Sequence, residues 1–293
     1  MPLELVFILE QVLNGLLVGV YYLLIALGLS LIFSLGGIVN LAHGGFYAIG
    51  AYLIVILTGE IGFFGAFVVS PILVAFLGMA TERVFFRRFY RLDPMLSLLL
   101  TFGLAMIIEQ GLRMIFGAAP IPYAIPGFLH GQVLLGKLIF SSYRLAILIV
   151  AILAVAGLWF LLQRTPFGRV VRAGVQNPDM VGALGISLSP YFTGVAALAM
   201  GLAGLAGVLM APITGVHPAM GLEILIPAFV VVVIGGLGSF WGVVAAAALV
   251  GIIRGLTVYY YPPASEASMY LLMLAVLLLR PRGMFGERIA RFE

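Results

Sequence analysis

Nine apolar stretches follow one another along this chain, and most are long enough to cross a bilayer. They cover residues 6–35, 41–58, 63–81, 95–116, 145–162, 190–211, 224–234, 240–257 and 268–279. A helical span takes about 20 such residues, and lipid tolerates only backbone whose hydrogen bonds close internally. The pattern restricts the fold to an all-α, polytopic transmembrane helical bundle of about 8–9 spans, with glycine-broken helices. Only 9% of the 293 residues are charged, against about 25% in soluble domains. Residues 1–293 therefore read as a single transmembrane domain. The opening MPLELVFILE carries Glu4 and Glu10 and no basic residue, so it does not read as a secretory signal.

The charges that remain are placed with a purpose. Net charge is +4, from 14 arginines and one lysine against 11 acids. The arginines gather at span ends, which is the signature of topology rather than of nucleic-acid binding. Arg83, Arg87, Arg88 and Arg91 form one cluster, Arg164, Arg169 and Arg172 a second, and Arg280, Arg282, Arg288 and Arg291 a third. All three are expected on the cytoplasmic face. Even numbers of spans separate them, which is consistent. The side of the N-terminus stays open, because it depends on whether 41–58 crosses fully or is re-entrant. With no cysteine in the chain, disulfides, iron–sulfur clusters and thiolate metal sites are excluded.

Residues 118–143 form the largest external segment. Pro120, Pro122 and Pro126 argue for an irregular loop lying on the surface. Two other places look broken within apolar sequence. One runs from Gly36 through Asn40 and His43 to Gly45. The other is Gly235-Gly236-Leu237-Gly238-Ser239, which follows an apolar run of 11 residues, too short to cross. Non-helical backbone at membrane depth survives where it is buried in protein or lines a wet cavity. Paired glycine breaks, one per half, point to a substrate path. Tight turns at the interface are the plainer alternative. On the path reading, Asn40, His43, Gly44, Gly235, Gly236 and Gly238 are the candidate residues.

Other motifs weigh less. Residues 131–137 fit GxxxxGK, but Leu138 stands where a P-loop needs a hydroxyl for Mg²⁺, and no strand-to-helix context surrounds it. GxxxG pairs at Gly15/Gly19, Gly238/Gly242 and Gly251/Gly255, and the small-residue run Gly201, Gly204, Gly207, read as close helix packing. Glu109 and Arg113 lie four apart, so they share a helix face and can neutralise each other. Glu223 and Arg254 sit near span ends, where snorkelling suffices. His43 could be a ligand contact, a proton carrier or a helix-capping hydrogen bonder. His217 precedes Pro218 in an external turn and reads as structural. HExxH, GxSxG and paired-carboxylate motifs are absent from the sequence, so an intramembrane enzyme finds no support.

The segment 164–187, RTPFGRVVRAGVQNPDMVGALGIS, is the one long polar stretch flanked on both sides by spans. Plain connections are shorter. Thr165-Pro166 is a good helix start. The segment reads as a cytoplasmic docking element, a feature with no task in an ion-coupled secondary transporter or channel.

These motifs together resemble a known family. Asn40-Leu41-Ala42-His43-Gly44-Gly45-Phe46, with Gly50-Ala51-Tyr52, is similar to the signature near the start of branched-chain amino acid ABC-transporter permeases of the high-affinity subunit type. The stretch from Gly168 to Ile186 resembles that family's coupling loop. Gly235-Gly236-Leu237-Gly238-Ser239 with Trp241-Gly242, and Arg280-Pro281-Arg282-Gly283 with Phe285-Gly286, resemble its late motifs. Pro227 departs from it, since many relatives carry a basic residue there. The resemblance implies a permease domain over 1–293 in the bacterial inner membrane, without an ATPase site of its own. It implies as partners two ATPase subunits that hold ATP and Mg²⁺, a second homologous permease subunit and a periplasmic substrate-binding protein. The chain itself would bind no cofactor, metal or nucleic acid. Gly168, Arg169, Arg172, Ala173, Asn177, Asp179, Ala183, Gly185 and Ile186 would couple it to the ATPases. The expected cargo is a branched-chain or other small amino acid, with urea, amides or simple sugars as the cargo of related importers.

Overall fold

The computed structural model describes residues 3–37, 39–89, 93–135 and 138–286. Ile38, Arg91, Gly136, Lys137, Arg288 and Arg291, which figure in the motifs above, lie outside the described residues. Helices form α1 (Leu3–Gly36), α2 (His43–Val84), α3 (Pro94–Phe116), α4 (Ser142–Arg164), α5 (Pro166–Gln176), α6 (Pro178–Ala183), α7 (Ser189–Thr214), α8 (Met220–Gly235), α9 (Phe240–Tyr260) and α10 (Ser265–Leu279). Each of the nine apolar stretches has its helix. An unbroken α2 of 42 residues would reach about 63 Å, twice a bilayer's core. It breaks instead at Gly62, whose φ of 72° reverses the chain, so α2 is a hairpin of two helices.

Helix α7 is the centre of the bundle, and small residues put it there. Its face of Gly201, Gly204 and Gly207 takes both halves of α2. A side chain at Gly207 would strike the Tyr47 carbonyl and the Ala51 nitrogen, and one at Gly204 or Gly201 would meet Val74 and Ala75. The second close pair is α1 against α9, where Gly15 and Gly19 pack backbone to backbone on Gly251 and Gly255. The GxxxG spacing thus marks contacts inside one chain. Without a hydrophobic force between helices in lipid, such close approach is what holds a bundle together.

The basic clusters share one end. Arg87 at the foot of α2 donates to Thr193 Oγ1, 2.7 Å away, at the start of α7. Leu35, at the foot of α1, packs with Val171 of α5 and Val195 of α7. Arg282 abuts Gly236 below α8, and Gly238 lies beside Ser34. That is the end the positive-inside rule assigns to the cytoplasm. At the opposite end Arg144, entering α4, donates to Asn14 in the first turns of α1 (3.2 Å). The head of α1 is therefore external, which resolves the question the span count left open.

The external segment departs from expectation in part. Around Pro120 and Pro126 it is irregular. Its second half is a hairpin, β1 (Gln132–Leu135) on β2 (Leu138–Ser141), antiparallel with Gln132 opposite Ser141. Short apolar runs of QVLL and LIF suit a strand pair, and the prolines lie upstream of them. Ile121 also bridges to Val216, where N–H groups donate both ways at 2.8 and 3.0 Å.

Candidate functional site

Two places gather buried polar groups, capped helix ends and close backbone contacts. The first is the cytoplasmic element α5–α6. Thr165 starts it: its Oγ1 accepts from Gly168 N–H (3.3 Å) and donates to the Leu161 carbonyl (2.5 Å), and Pro166 fills the first helical position. Gly168 must be glycine, since a side chain would enter the last turn of α4 at Leu161 and Leu162. Arg172 donates from Nη1 to the Leu162 carbonyl. A cation on the orphan carbonyls at the end of α4 is favoured by the helix dipole as well. Arg172 is thus a bracket between α4 and α5. Val171 and Gly174 are buried beside it, facing Leu35, Val195 and Leu188.

Asn177 turns the chain into α6, where its Oδ1 accepts from Met180 N–H at 2.9 Å. The end of α6 is a Schellman motif. Ile186 N–H donates to the Val181 carbonyl (3.3 Å) and Gly185 N–H to that of Gly182 (2.9 Å). Gly185 holds φ at 77°, which glycine adopts freely. The surface left facing the cytoplasm carries Arg169, Ala173, Asp179 and Ala183 together with exposed Met180, Leu184 and Ile186. Below it lies an ion pair whose acid is buried and whose arginine reaches solvent. Glu82, fully buried, receives Arg87 at 3.3 Å and the Thr193 hydroxyl at 2.6 Å. That pair ties the foot of α2 to α7 four residues past Ser189.

The second place lies at mid-membrane. Among the described residues between the foot of α1 and His43, namely 37 and 39–42, none is in a regular helix, and α2 begins at His43. A side chain at Gly28 of α1 would strike the His43 ring, and Gly28 lies seven residues before Leu35, about 10 Å up the helix. The chain therefore climbs back into the bundle before α2 starts. Thr101 of α3 holds it by donating to the Val39 carbonyl (3.2 Å). Asn40 Oδ1 accepts from Ala42 N–H (3.1 Å). Here Gly44 meets Gly221 of α8 carbonyl to backbone, each barring a side chain on the other. Two helices thus begin at one point and run to opposite faces. Asn40 and His43 are fully buried. Among the described residues, Asn40 Nδ2 and both His43 ring nitrogens make no hydrogen bond of normal geometry, although the Ile25 carbonyl faces the ring. Buried groups left like this call for an explanation.

The structure brings Asn40, His43 and Gly44 together but not the late glycines. Gly235 is 14 residues along α8 from Gly221, about 21 Å away. Gly235 packs on Gly242, Gly236 on Gly286 and the Arg282 carbonyl, and Gly238 beside Ser34. Met284 and Phe285 N–H groups donate to the Ile234 and Gly235 carbonyls (2.8 and 3.1 Å). These glycines form a tight cytoplasmic turn, the plainer of the two readings. Sequence reasoning did not find Gly221, whose partner is distant in the chain, nor Glu82, whose partner Thr193 is 111 residues further on. Glu109 and Arg113 pair as their spacing implied, at 2.9 Å. His217 pairs with Glu223 at 3.6 Å.

Comparison with known proteins agrees with this layout. The family profile "Branched-chain amino acid transport system / permease component" matches residues 11–279. The chain is 28% identical over 294 residues to "High-affinity branched-chain amino acid transport system permease protein BraD" of Pseudomonas aeruginosa, covering 95% of this chain and 96% of that one. It is 26% identical to the corresponding LivH protein of Escherichia coli K12, covering 97% of each. A probable LivH permease of Methanocaldococcus jannaschii is 27% identical, over 90% of this chain and 88% of its own.

Proposed function

This chain belongs to the branched-chain amino acid transport system permease family, and from that premise we propose that it is a permease subunit of an ABC importer. It is a multi-pass protein of the inner membrane that passes branched-chain or other small amino acids. Separate ATPase subunits, holding ATP and Mg²⁺, supply the energy. A second related permease and a periplasmic binding protein complete the assembly.

The observation that carries this reading is the build of α5–α6. The element is exposed toward the cytoplasm, yet bracketed onto α4 by Arg172 and Gly168 and onto α1 and α7 through Val171. A push on its outer face therefore reaches three spans at once. Leu188 and Ser189 lead directly into α7, and Glu82–Arg87–Thr193 carries the displacement to α2. Both halves of α2 lie on α7, so His43 and the Gly44–Gly221 junction feel the shift. The unpartnered nitrogens of Asn40 and His43 then become groups that a passing polar solute or water could satisfy in the open state. An ion-coupled carrier would need an intramembrane proton or Na⁺ site, for which Glu109 and His43 are the candidates, and Glu109 is paired with Arg113.

Purification in mild detergent from native membranes, with mass spectrometry of what accompanies the chain, tests the proposal. Two ATPases and a second permease are expected. A chain that purifies alone and takes up solute on an ion gradient in liposomes would overturn it.

A further inference from the structure

A cavity of about 420 Å³ opens in the external half of the bundle, between α1, α4, α7, α8 and α9. Its size falls in the roughly 300–1,000 Å³ range of small-molecule sites. Two arginines line it, Arg144 from α4 and Arg254 from α9, with Gln11, Asn14 and Tyr21 of α1. Arg254 lies six residues before the end of α9, deeper than the span end at which the sequence placed it, and an arginine within a span is costly and marks function by default. Among the described residues neither arginine has a carboxylate partner. Arg144 donates to Asn14, and Arg254 lies over the Tyr22 ring at 5.7 Å. Apart from Thr214 and Tyr22, the rest of the lining is apolar, with Leu17, Val18, Met210, Ile213 and Ile224.

The cavity is also aligned with the junction below it. Asn14, Tyr21 and Gly28 are spaced by seven, so they share one face of α1. Asn14 and Tyr21 line the cavity, and Gly28 faces His43. Ile224 is three residues along α8 from Gly221, the partner of Gly44.

We propose that this cavity is the outward receiving site for cargo, in which Arg144 and Arg254 hold the α-carboxylate of an amino acid and the apolar wall accepts its side chain. The inference rests on the importer reading above. Two guanidinium groups lining one cavity without a carboxylate partner suit an anionic ligand such as a carboxylate. The apolar wall selects aliphatic over charged side chains. The site then hands the cargo down the same face of α1 toward His43.

Protection from phenylglyoxal tests it on the wild-type assembly in lipid nanodiscs, with modification of Arg144 and Arg254 followed by mass spectrometry. L-leucine at millimolar concentration should slow both modifications several-fold, and leucinol, which lacks the carboxylate, should not. Equal modification with and without leucine overturns the proposal. So does a pair of arginines that become reactive only on delipidation and ignore leucine, for then a phospholipid headgroup is the occupant. ATP-driven leucine uptake in liposomes supplies a second readout. Arg254→Gln should lower it about tenfold or more, the change expected for one lost charge-assisted hydrogen bond, and Arg254→Lys should lower it less. Normal uptake by Arg254→Gln overturns the site. Absence of ATP-driven uptake in the wild type would instead overturn the importer reading, a separable failure.

Discussion

The cytoplasmic element α5–α6 and the mid-membrane junction at His43 are built on opposite principles. The element is polar and exposed, shaped by caps: Thr165 and Asn177 start its helices, Gly185 ends them, and Arg172 clamps it to α4. The junction is shaped by the absence of side chains, with Gly44 on Gly221 and Gly28 against His43. A surface that docks a partner needs side chains that project. A point where two helices begin inside lipid needs backbones that touch, so that little polar surface is left over. The first therefore tolerates change in stability while losing function, and the second loses the fold first.

That contrast is broken or confirmed most sharply at the junction. Gly44→Val and Gly221→Val should each cost more than about 3 kcal/mol, since overpacking here has only backbone to displace. Loss of a monodisperse peak on size exclusion checks it. Glu82→Ala tests the link between the two regions. Because the Arg87 side chain keeps access to solvent, what is lost is the hydrogen bonds Glu82 accepts, about 1–3 kcal/mol, and a fall in thermal unfolding temperature should show it, with Glu82→Gln milder because Thr193 can still bond the amide. Gly185→Val sits on the other side of the comparison. Forcing φ of 77° on a branched residue strains it by about 1–2 kcal/mol, so the protein should still purify while ATP-driven uptake falls by an order of magnitude. The smallest effect is expected for Thr165→Ala, about 0.5–2 kcal/mol for a lost cap, read as a small drop in unfolding temperature and partial uptake.

The same contrast decides what the sequence makes legible. The helix at 166–176 was readable because a cap followed by proline is a local signal, Thr165-Pro166; Asn177-Pro178 carries the same local signal for 178–183, where no second helix was expected. The nine apolar stretches were readable by length and hydropathy. Gly221 was not, since nothing near it in sequence marks a partner at Gly44. Gly235, Gly236 and Gly238 looked like a second path element because a glycine run in apolar sequence serves a turn and a pore equally well. Contacts with Arg282 and Gly286 separate the two. Arg172 was legible as a cytoplasmic charge. Its bond to Leu162 was not, because it requires the chain to fold back at Thr165.

Site-specific cross-linking from the tip of α6 tests the central claim most directly. The chain has no cysteine, so Leu184→Cys, at a position 72% exposed, gives a single reactive point. In membranes carrying the intact assembly, a short thiol cross-linker should join it to an ATPase subunit, with a yield that changes between ATP-bound and nucleotide-free states. A cysteine at Tyr260, on the external end of α9, should give no such product. If Leu184→Cys is labelled freely and never joins an ATPase, while uptake persists, then α5–α6 is not where energy enters this protein.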